Sequence, residues 1–298
     1  MSVLICTRNR PEDIELCLKS VLACDHKSFE IIVVDQSTDA KTEAVVNALP
    51  DSSERINYLR TSTVGKTRAL NIGLEHATGS IIAFTDDDCE VPADWLTRIQ
   101  TEFDSDPSLD VIIGPVLPAP SLVGRSDICV PCWVFSDRRD MRADEVCGMG
   151  ANMALRTDIF RRIQVSCRFD PHLGPGTSLP ASEEGDFIYR IRRLGARAGL
   201  RPDIQVWHSA WRSPEFWNTV IFGYAVGDAA FHLKHARCKD AWAMRTIFVT
   251  LLRSGFRSMV KGLLHRKNND SHYLRGYMAG LARSKAFAVD VNNRLYIE

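Results

Sequence analysis

The chain has 298 residues, enough for one large α/β domain or two closely packed lobes. Its 37 basic and 37 acidic residues cancel, which removes any global drive toward nucleic acid. At 45% hydrophobic and 25% charged residues it reads as a soluble or peripheral globular protein, and no apolar run reaches the roughly 18 residues of a membrane span.

Strand and helix signals alternate over residues 1–90, the pattern of a mostly parallel sheet with crossover helices. Residues 3–6 (VLIC) read as a core strand, so no secretory leader is expected before them, and the polar loop Thr7-Arg8-Asn9-Arg10-Pro11 follows. Apolar positions at Ile14, Leu16, Cys17, Leu18, Val21 and Leu22 predict an amphipathic helix over 11–23. Residues 29–34 (FEIIVV) form a second buried strand that ends at Asp35. A helix over 42–49, an edge strand over 56–60 and a helix over 65–77, opened by Gly65 and stopped by Thr78-Gly79, come next.

The run SIIAFTDDDCEVP then ends a short apolar strand in three consecutive aspartates, Asp86, Asp87 and Asp88. Adjacent carboxylates repel, and one of them is driven toward protonation unless something cationic neutralises them. Hard oxygen ligands of this kind suit Mg²⁺ or Mn²⁺, and magnesium commonly shares its shell with substrate phosphates. The plain alternative is an acidic turn that caps the helix expected over 94–105. The strand ends at Thr7, Asp35 and Asp86 fall on one edge of the sheet, where open α/β sheets bind ligands.

From residue 111 the pattern changes. A strand over 111–113 leads through Gly114 into a proline-rich connection, and residues 121–145, with Trp133 and Phe135, carry no clear period. A glycine-led strand over 148–155 and a short helix over 157–163 follow. The loop HLGPGTSLPAS ends at Glu183-Glu184-Gly185-Asp186, where a helix running to 194 begins. Taken alone, acidic residues in a first helical turn are explained by the helix dipole. His208 stands directly after a strand ending at Val206-Trp207. Residues from 214 on are mainly helical, with a basic amphipathic stretch over 245–267 that sets Arg253, Arg257, Lys261, Arg266 and Lys267 beside Phe248, Leu251, Leu252, Phe256, Met259 and Leu263. Attachment to an anionic membrane and packing on the rest of the protein with a solvated basic face both fit that stretch. Nine scattered cysteines, with one isolated CxxC at Cys129 and Cys132, read as reduced thiols of a cytosolic protein.

Five segments in order resemble the family 2 glycosyltransferases of the GT-A fold: VLICTRNRP, FEIIVVDQSTD, GKTRALNIGLEHATGSIIAFTDDDCEVPADWL, GMGANMALRTDIF and SEEGDFIYRIRRLG. The resemblance covers roughly residues 3–212. It implies a Rossmann-like α/β/α sandwich with a mostly parallel central sheet and a C-terminal helical extension. It divides the chain into a nucleotide-sugar-binding half over 1–114, an acceptor-binding half over 115–212 and a helical region over 213–298. It implies an inverting, metal-dependent transfer from a nucleotide-sugar donor, a UDP-sugar favoured, to a glycan or lipid-linked acceptor in surface polysaccharide biosynthesis. By the same resemblance Thr7, Arg8 and Asp35 line the nucleoside pocket and Arg68 faces the nucleotide. Asp86 and Asp88 hold Mn²⁺ or Mg²⁺ on the donor diphosphate, with Asp87 or Asp86 also near the ribose, and His208 completes the metal site. Glu184, beside Glu183, is the base that takes the acceptor's proton. The chain departs from the family pattern at Asp35-Gln36 and at Glu183-Glu184, where a second acid and Glu-Asp are commoner. A nucleotide-sugar-binding relative without turnover is the alternative those departures leave open. A phosphohydrolase or nucleotidyltransferase would leave the later acidic loop and His208 without a role.

Overall fold

The strands β1 (Ser2–Thr7) and β2 (Glu30–Asp35) are buried along nearly their whole length, as strands covered on both faces of a parallel sheet must be. The computed structural model describes residues 1–50, 52–142, 145–146, 149–162, 168–263 and 269–298, so the expectations for Gly148, Ile163, Arg266 and Lys267 and the side chain of Leu263 fall outside it. The chain divides into two compact units, Met1–Cys167 with Ile188–Trp211, and Arg168–Phe187 with Arg212–Glu298.

In the first unit the elements follow in order: β1, α1 (Pro11–Leu22), β2, α2 (Lys41–Ala48), α3 (Ser52–Arg55), β3 (Ile56–Arg60), α4 (Lys66–His76), β4 (Ile81–Phe84), β5 (Cys89–Glu90) and α5 (Trp95–Ser105). Then come β6 (Val111–Ile113), β7 (Val116–Pro118), β8 (Arg139–Asp140), β9 (Met153–Arg156), α6 (Ile159–Arg162), α7 (Glu183–Arg193), β10 (Ala198–Leu200) and β11 (Val206–His208); the first turn of α7 belongs to the second unit. An eight-stranded sheet runs β3-β2-β1-β4-β9-β6-β10-β8. The pairs among β3, β2, β1 and β4 are parallel, as is β6 with β10, while β9 is antiparallel to both neighbours. Order 3-2-1-4 means the chain reverses direction of travel at β1, so a crevice opens between the ends of β1 and β4.

Helix α1 shows why these elements form where they do. Pro11 occupies its first turn with Glu12 and Asp13, and Ile14, Cys17, Leu18 and Val21 recur on one buried face. That face joins Val3, Ile5, Trp95, Ile99 and Phe103 in the main core. The strand expected over 148–155 is shorter: residues Gly150–Asn152 make a 3₁₀ turn and the strand starts at Met153. Asn152 explains the turn, because its side chain is buried and committed to backbone elsewhere, donating to Pro115 O at 2.9 Å and Ile204 O at 2.7 Å while accepting from Trp95 Nε1 at 3.1 Å. A methyl group on Gly114 would lie 2.0 Å from Ile204 O, so only glycine lets β6 and its neighbours close around that asparagine.

The second unit contains α8 (Pro214–Arg237), α9 (Ala241–Leu263), α10 (Asn269–Arg283) and a hairpin of β12 (Ala288–Asp290) and β13 (Leu295–Ile297). The mainly helical expectation holds, but the hairpin is an addition; Asp290 caps its turn by accepting from the backbone of Asn292 and Asn293. Gly276 and Gly280 let α10 approach α8 closely, since a methyl at either would sit 2.4 Å from a carbonyl oxygen of Phe222 or Val226.

A charged network is buried inside this unit. Lys234, fully excluded from solvent, donates to Asp170 at 2.5 Å and meets Asp186 at 2.8 Å. His235 donates Nε2–H to Asp186 at 2.9 Å, because its Nδ1 must accept from Arg294, a group that can only donate. Arg294 also binds Asp240 at 2.8 Å, and Asp170 accepts the Tyr296 amide at 2.9 Å. Burial pushes His235 down to about 4 and, together with His235's own charge, His232 down to about 3. Both folded values lie below the ordinary 6.5, so the stability they lend is complete above pH 6.5 and drains away as the pH falls toward 4. The histidines' contribution to the unfolding free energy from urea titrations should therefore fall across that window, by up to about 1.4 kcal/mol per pH unit for each histidine. A slope between pH 6.5 and 4.5 that His235→Gln leaves unchanged relative to the parent would contradict this assignment.

Candidate active site and metal centre

Register brings the strand ends to one level. Thr7 pairs with Asp35, and Leu4 pairs with Phe84, so counting forward sets Asp87 beside Thr7. The side chains meet there, with Thr7 Oγ1 donating to Asp87 Oδ2 at 2.8 Å. The triplet lies ahead of α5 and does not cap it; Asp94 holds the cap position and pairs with Arg98. Thr85, at the head of the triplet, is buried with an Oγ1 that has no hydrogen-bond partner among the described residues.

The carboxylates are compensated by the protein's own cations. Arg10 Nη1 donates to Asp87 at 3.0 Å and to Asp88 at 2.8 Å, and Lys66 Nζ lies 2.7 Å from Asp86. Neither Arg10 nor Lys66 stood out in the sequence, where both sit in polar segments beside the more conspicuous Arg8 and Arg68. Arg8 is exposed, and Arg68 donates to Val64 O at 2.9 Å.

A second, small sheet, β5-β11-β7, delivers His208. Antiparallel pairing of β11 with β5 sets His208 opposite Cys89, next to Asp88. Its Nε2 is 3.4 Å from Asp88 Oδ1, and its Nδ1 lies 3.1 Å from Ala210 O, the geometry of an Nδ1–H donor. A neutral ring in that tautomer turns the Nε2 lone pair toward a carboxylate, which is repulsive unless a proton or a metal ion lies between them. Ligand atoms of Asp88, Cys89 and His208 all fall within 4.8 Å of one another. The environment separates the two buried aspartates. Burial, then the Asp88 charge, pushes Asp87 up to about 7 against the pull of Arg10. Burial opposes ionisation of Asp88 too, but the His208 hydrogen bond and charge, followed by Arg10 and Lys66, hold Asp88 below the ordinary carboxylate range. Burial raises the Cys89 thiol well above its ordinary value, so oxygen and imidazole ligands are the ones on offer for a hard divalent ion.

At the end of β2, Asp35 is fully buried. Its Oδ1 accepts the Ser37 amide at 2.7 Å and its Oδ2 accepts from the Tyr58 hydroxyl. Gln36 spends its amide hydrogens on Thr63 Oγ1 at 2.9 Å and Gly65 O at 3.1 Å, which leaves its carbonyl oxygen as the acceptor end of the side chain.

Glu183 and Glu184 open α7 in the second unit, after Ser182 at φ 69°. Glu183 is buried and its carboxyl lies against Gly174, where an added methyl would be 3.1 Å from Oε2; Glu184 is half-buried. Ser182 donates to Asp228 at 2.7 Å, and Asp186 is tied into the buried network, so the turn carrying both glutamates is fastened on each side.

A mostly parallel sheet with aligned polar strand ends and an acidic triplet is the architecture of an α/β protein of the GT-A type. Residues 2–163, more than half of the chain, match Glycosyl transferase family 2, and the chain belongs to that enzyme family. The succinoglycan biosynthesis protein ExoM of Rhizobium meliloti is 28% identical over 213 residues, 68% of this chain and 64% of that one. The GalNAc(5)-diNAcBac-PP-undecaprenol beta-1,3-glucosyltransferase of Campylobacter jejuni is 36% identical over 101 residues, 33% of each chain. The aligned stretches thus span between a third and just under two-thirds of these relatives. Among solved structures, the mannosyltransferase PcManGT of Pyrobaculum calidifontis, in complex with GDP-Man and Mn²⁺, superposes with a TM-score of 0.62 at 17% identity over 96% of this chain and 86% of that one. S. aureus TarS 1-349 in complex with UDP-GlcNAc gives 0.55 at 18% identity over 100% and 98%. Identities this low speak for the fold.

Proposed function

We propose that this chain is an inverting glycosyltransferase that moves a sugar from a nucleotide-sugar donor to a glycan or lipid-linked acceptor in surface polysaccharide or glycoconjugate assembly. The observation that carries the reading is the meeting of Thr7, Asp35, the aspartate triplet and His208 around one crevice, inside the family-matched region. Asp86 and Asp88, with His208, would hold Mn²⁺ or Mg²⁺, and the ion would supply positive charge to the leaving diphosphate. The orphaned Thr85 hydroxyl, and the approach of His208 Nε2 to Asp88 at 3.4 Å, where a metal ion could take the place of the proton, support a ligand there. Arg10 and Lys66, which neutralise the triplet in the free protein, are placed to donate to phosphate oxygens once the carboxylates are engaged. In the transfer, the bond from the sugar's anomeric carbon to the diphosphate oxygen breaks with its electron pair leaving on phosphate. The acceptor oxygen attacks the opposite face, and Glu184 takes the hydroxyl proton. The enzyme would work in the cytoplasm or at the cytoplasmic face of a membrane.

Gln36 supports uracil as the base. Its carbonyl oxygen is an acceptor for the imide N–H of uracil and equally for guanine N1–H, whereas adenine and cytosine have no ring N–H on their pairing edge. Thermal shift with Mn²⁺ and a panel of nucleotide sugars tests this, because a ligand at 100 times its Kd stabilises by about 2.7 kcal/mol. UDP-sugars should raise the melting temperature most, and Gln36→Leu should weaken UDP about 5–10-fold, the worth of one hydrogen bond. No stabilisation by any nucleotide or nucleotide sugar would remove the donor-site assignment. A preference for GDP-sugars would remove uracil alone.

A further inference from the structure

Helix α9 carries no acidic side chain along its 23 residues. Its inner side is accounted for: Ala243 and Ser254 are buried, and Ile247 and Leu251 pack on Ala225, Ala229 and Tyr277. Its outer side is unusual. Met244, Phe248, Leu252, Phe256 and Met259 follow one another at helical spacing and share a single stripe. They are 50%, 64%, 57%, 65% and 57% exposed. One exposed apolar side chain is ordinary on any protein, but five large ones in a row form a contiguous patch of the kind that marks an interaction surface. Gly255 lies on the same side, and a methyl group there would meet nothing within 4 Å.

Charge identifies the occupant. Arg245, Arg253 and Arg257 flank the stripe, all exposed and none with an acidic partner among the described residues. Lys261 is answered by Asp270 and drops out of the account. A second copy of the same face would bring these arginines against one another with no carboxylate on either helix to receive them. No described helix is long and apolar enough to cross a membrane. A helix with an apolar stripe and a basic flank, too polar to span, is the form that lies in the plane of an anionic bilayer surface.

We propose that the outer face of α9 docks on an anionic lipid bilayer, its Phe, Leu and Met side chains entering the headgroup boundary and its arginines on lipid phosphates. This deepens the lipid-linked-acceptor reading, yet its test reads binding alone and is indifferent to whether that reading holds. The intact chain is mixed with vesicles of phosphatidylcholine, or of phosphatidylcholine with phosphatidylglycerol, and sedimented. Partition to the anionic vesicles should exceed partition to the neutral ones and fall as salt is raised. Each arginine neutralised near such a surface should cost about fivefold, so the double substitution Arg253→Glu/Arg257→Glu should lower partition at least about 25-fold. Phe248→Ser/Phe256→Ser should also release the protein, even at low salt. Both double variants should keep the nucleotide-dependent thermal shift of the parent, since neither touches the donor site. Equal binding to both vesicle types, or to neither, overturns the proposal, and that comparison needs no variant. So does a parent dimer that Phe248→Ser/Phe256→Ser converts to monomer, which would assign the face to self-association.

Discussion

Glu184→Gln is expected to lower kcat by about 10²–10⁴-fold while leaving the Kd of the donor nucleotide unchanged, the signature of a lost general base. Glutamine keeps the size and hydrogen-bonding reach of the side chain but cannot accept a proton from the acceptor hydroxyl. Removing one charge from the first turn of α7 forfeits about 0.3–1 kcal/mol of dipole interaction, and the turn stays anchored by Asp186 and Ser182. A loss of turnover with a near-parental melting temperature is therefore chemical. Glu183→Gln makes the internal comparison, because Glu183 is buried against Gly174 and any loss there should come with a loss of stability. The acid limb of the pH–rate profile should also disappear in the Glu184 variant, since it reports protonation of the base. If Glu184→Gln turns over within tenfold of the parent, Glu184 is not the base. If the parent itself transfers no sugar but binds donor with metal, the chain is the binding-only relative that its two motif departures allow.

The crevice was legible because strand ends obey simple counting. An apolar run that stops at a polar residue marks where a buried strand reaches the sheet edge, and three such runs in a parallel order bring Thr7, Asp35 and Asp86 to that edge. Which cations would answer the triplet was not legible. Arg10 lies 77 and 78 residues away in sequence from the aspartates it meets and Lys66 lies 20 away from Asp86, and only the register of β1 against β4 and the start of α4 select them over Arg8 and Arg68. The sequence drew attention to a charge problem and to its solution by metal. The structure adds that the protein answers it first with its own side chains, so under the proposed function a metal ion and donor would have to compete with an existing ion-pair set.

Other features were hidden for related reasons. A lysine on a helix is assigned to the surface by default, so nothing marked Lys234 as the centre of a buried network until Asp170, Asp186 and His235 were brought around it by elements up to 64 residues apart. The terminal hairpin was missed because three-residue strands carry too little alternation to stand out after three long helices. In contrast, the α9 stripe was visible as a pattern, and its exposure was the missing half. Spacing alone puts Phe248, Leu252 and Phe256 on one face without saying whether that face looks inward or outward.

Among the three aspartates, Asp88→Asn should do the most damage to metal binding and Asp87→Asn the least. Asp88 is the carboxylate held firmly ionised, it faces His208 Nε2 at 3.4 Å, and replacing it removes the charge that a divalent ion would neutralise. Residues that merely support metal ligands typically cost 10–100-fold in affinity when changed, so a direct ligand should exceed about 100-fold. Asp87 is pushed up to about 7 and is occupied by Thr7 and Arg10, so its amide substitute should keep most of those contacts and most of the metal response. Asp86→Asn belongs with Asp88, and it also frees Lys66. The fold should survive each change, because Arg10 keeps one of its two carboxylates in the Asp87 and Asp88 variants. Titration of Mn²⁺ by electron paramagnetic resonance, with and without UDP, ranks the three directly. An Asp87→Asn variant that loses Mn²⁺ as completely as Asp88→Asn would show that the shared network around Arg10, and not a ligand set of Asp86, Asp88 and His208, controls the site. His208→Gln then separates the remaining cases. With the ring as a ligand, the variant should bind Mn²⁺ more weakly at every pH. With the ring as only a partner of Asp88, it should alter the pH dependence of binding and leave affinity near neutral pH close to the parent's.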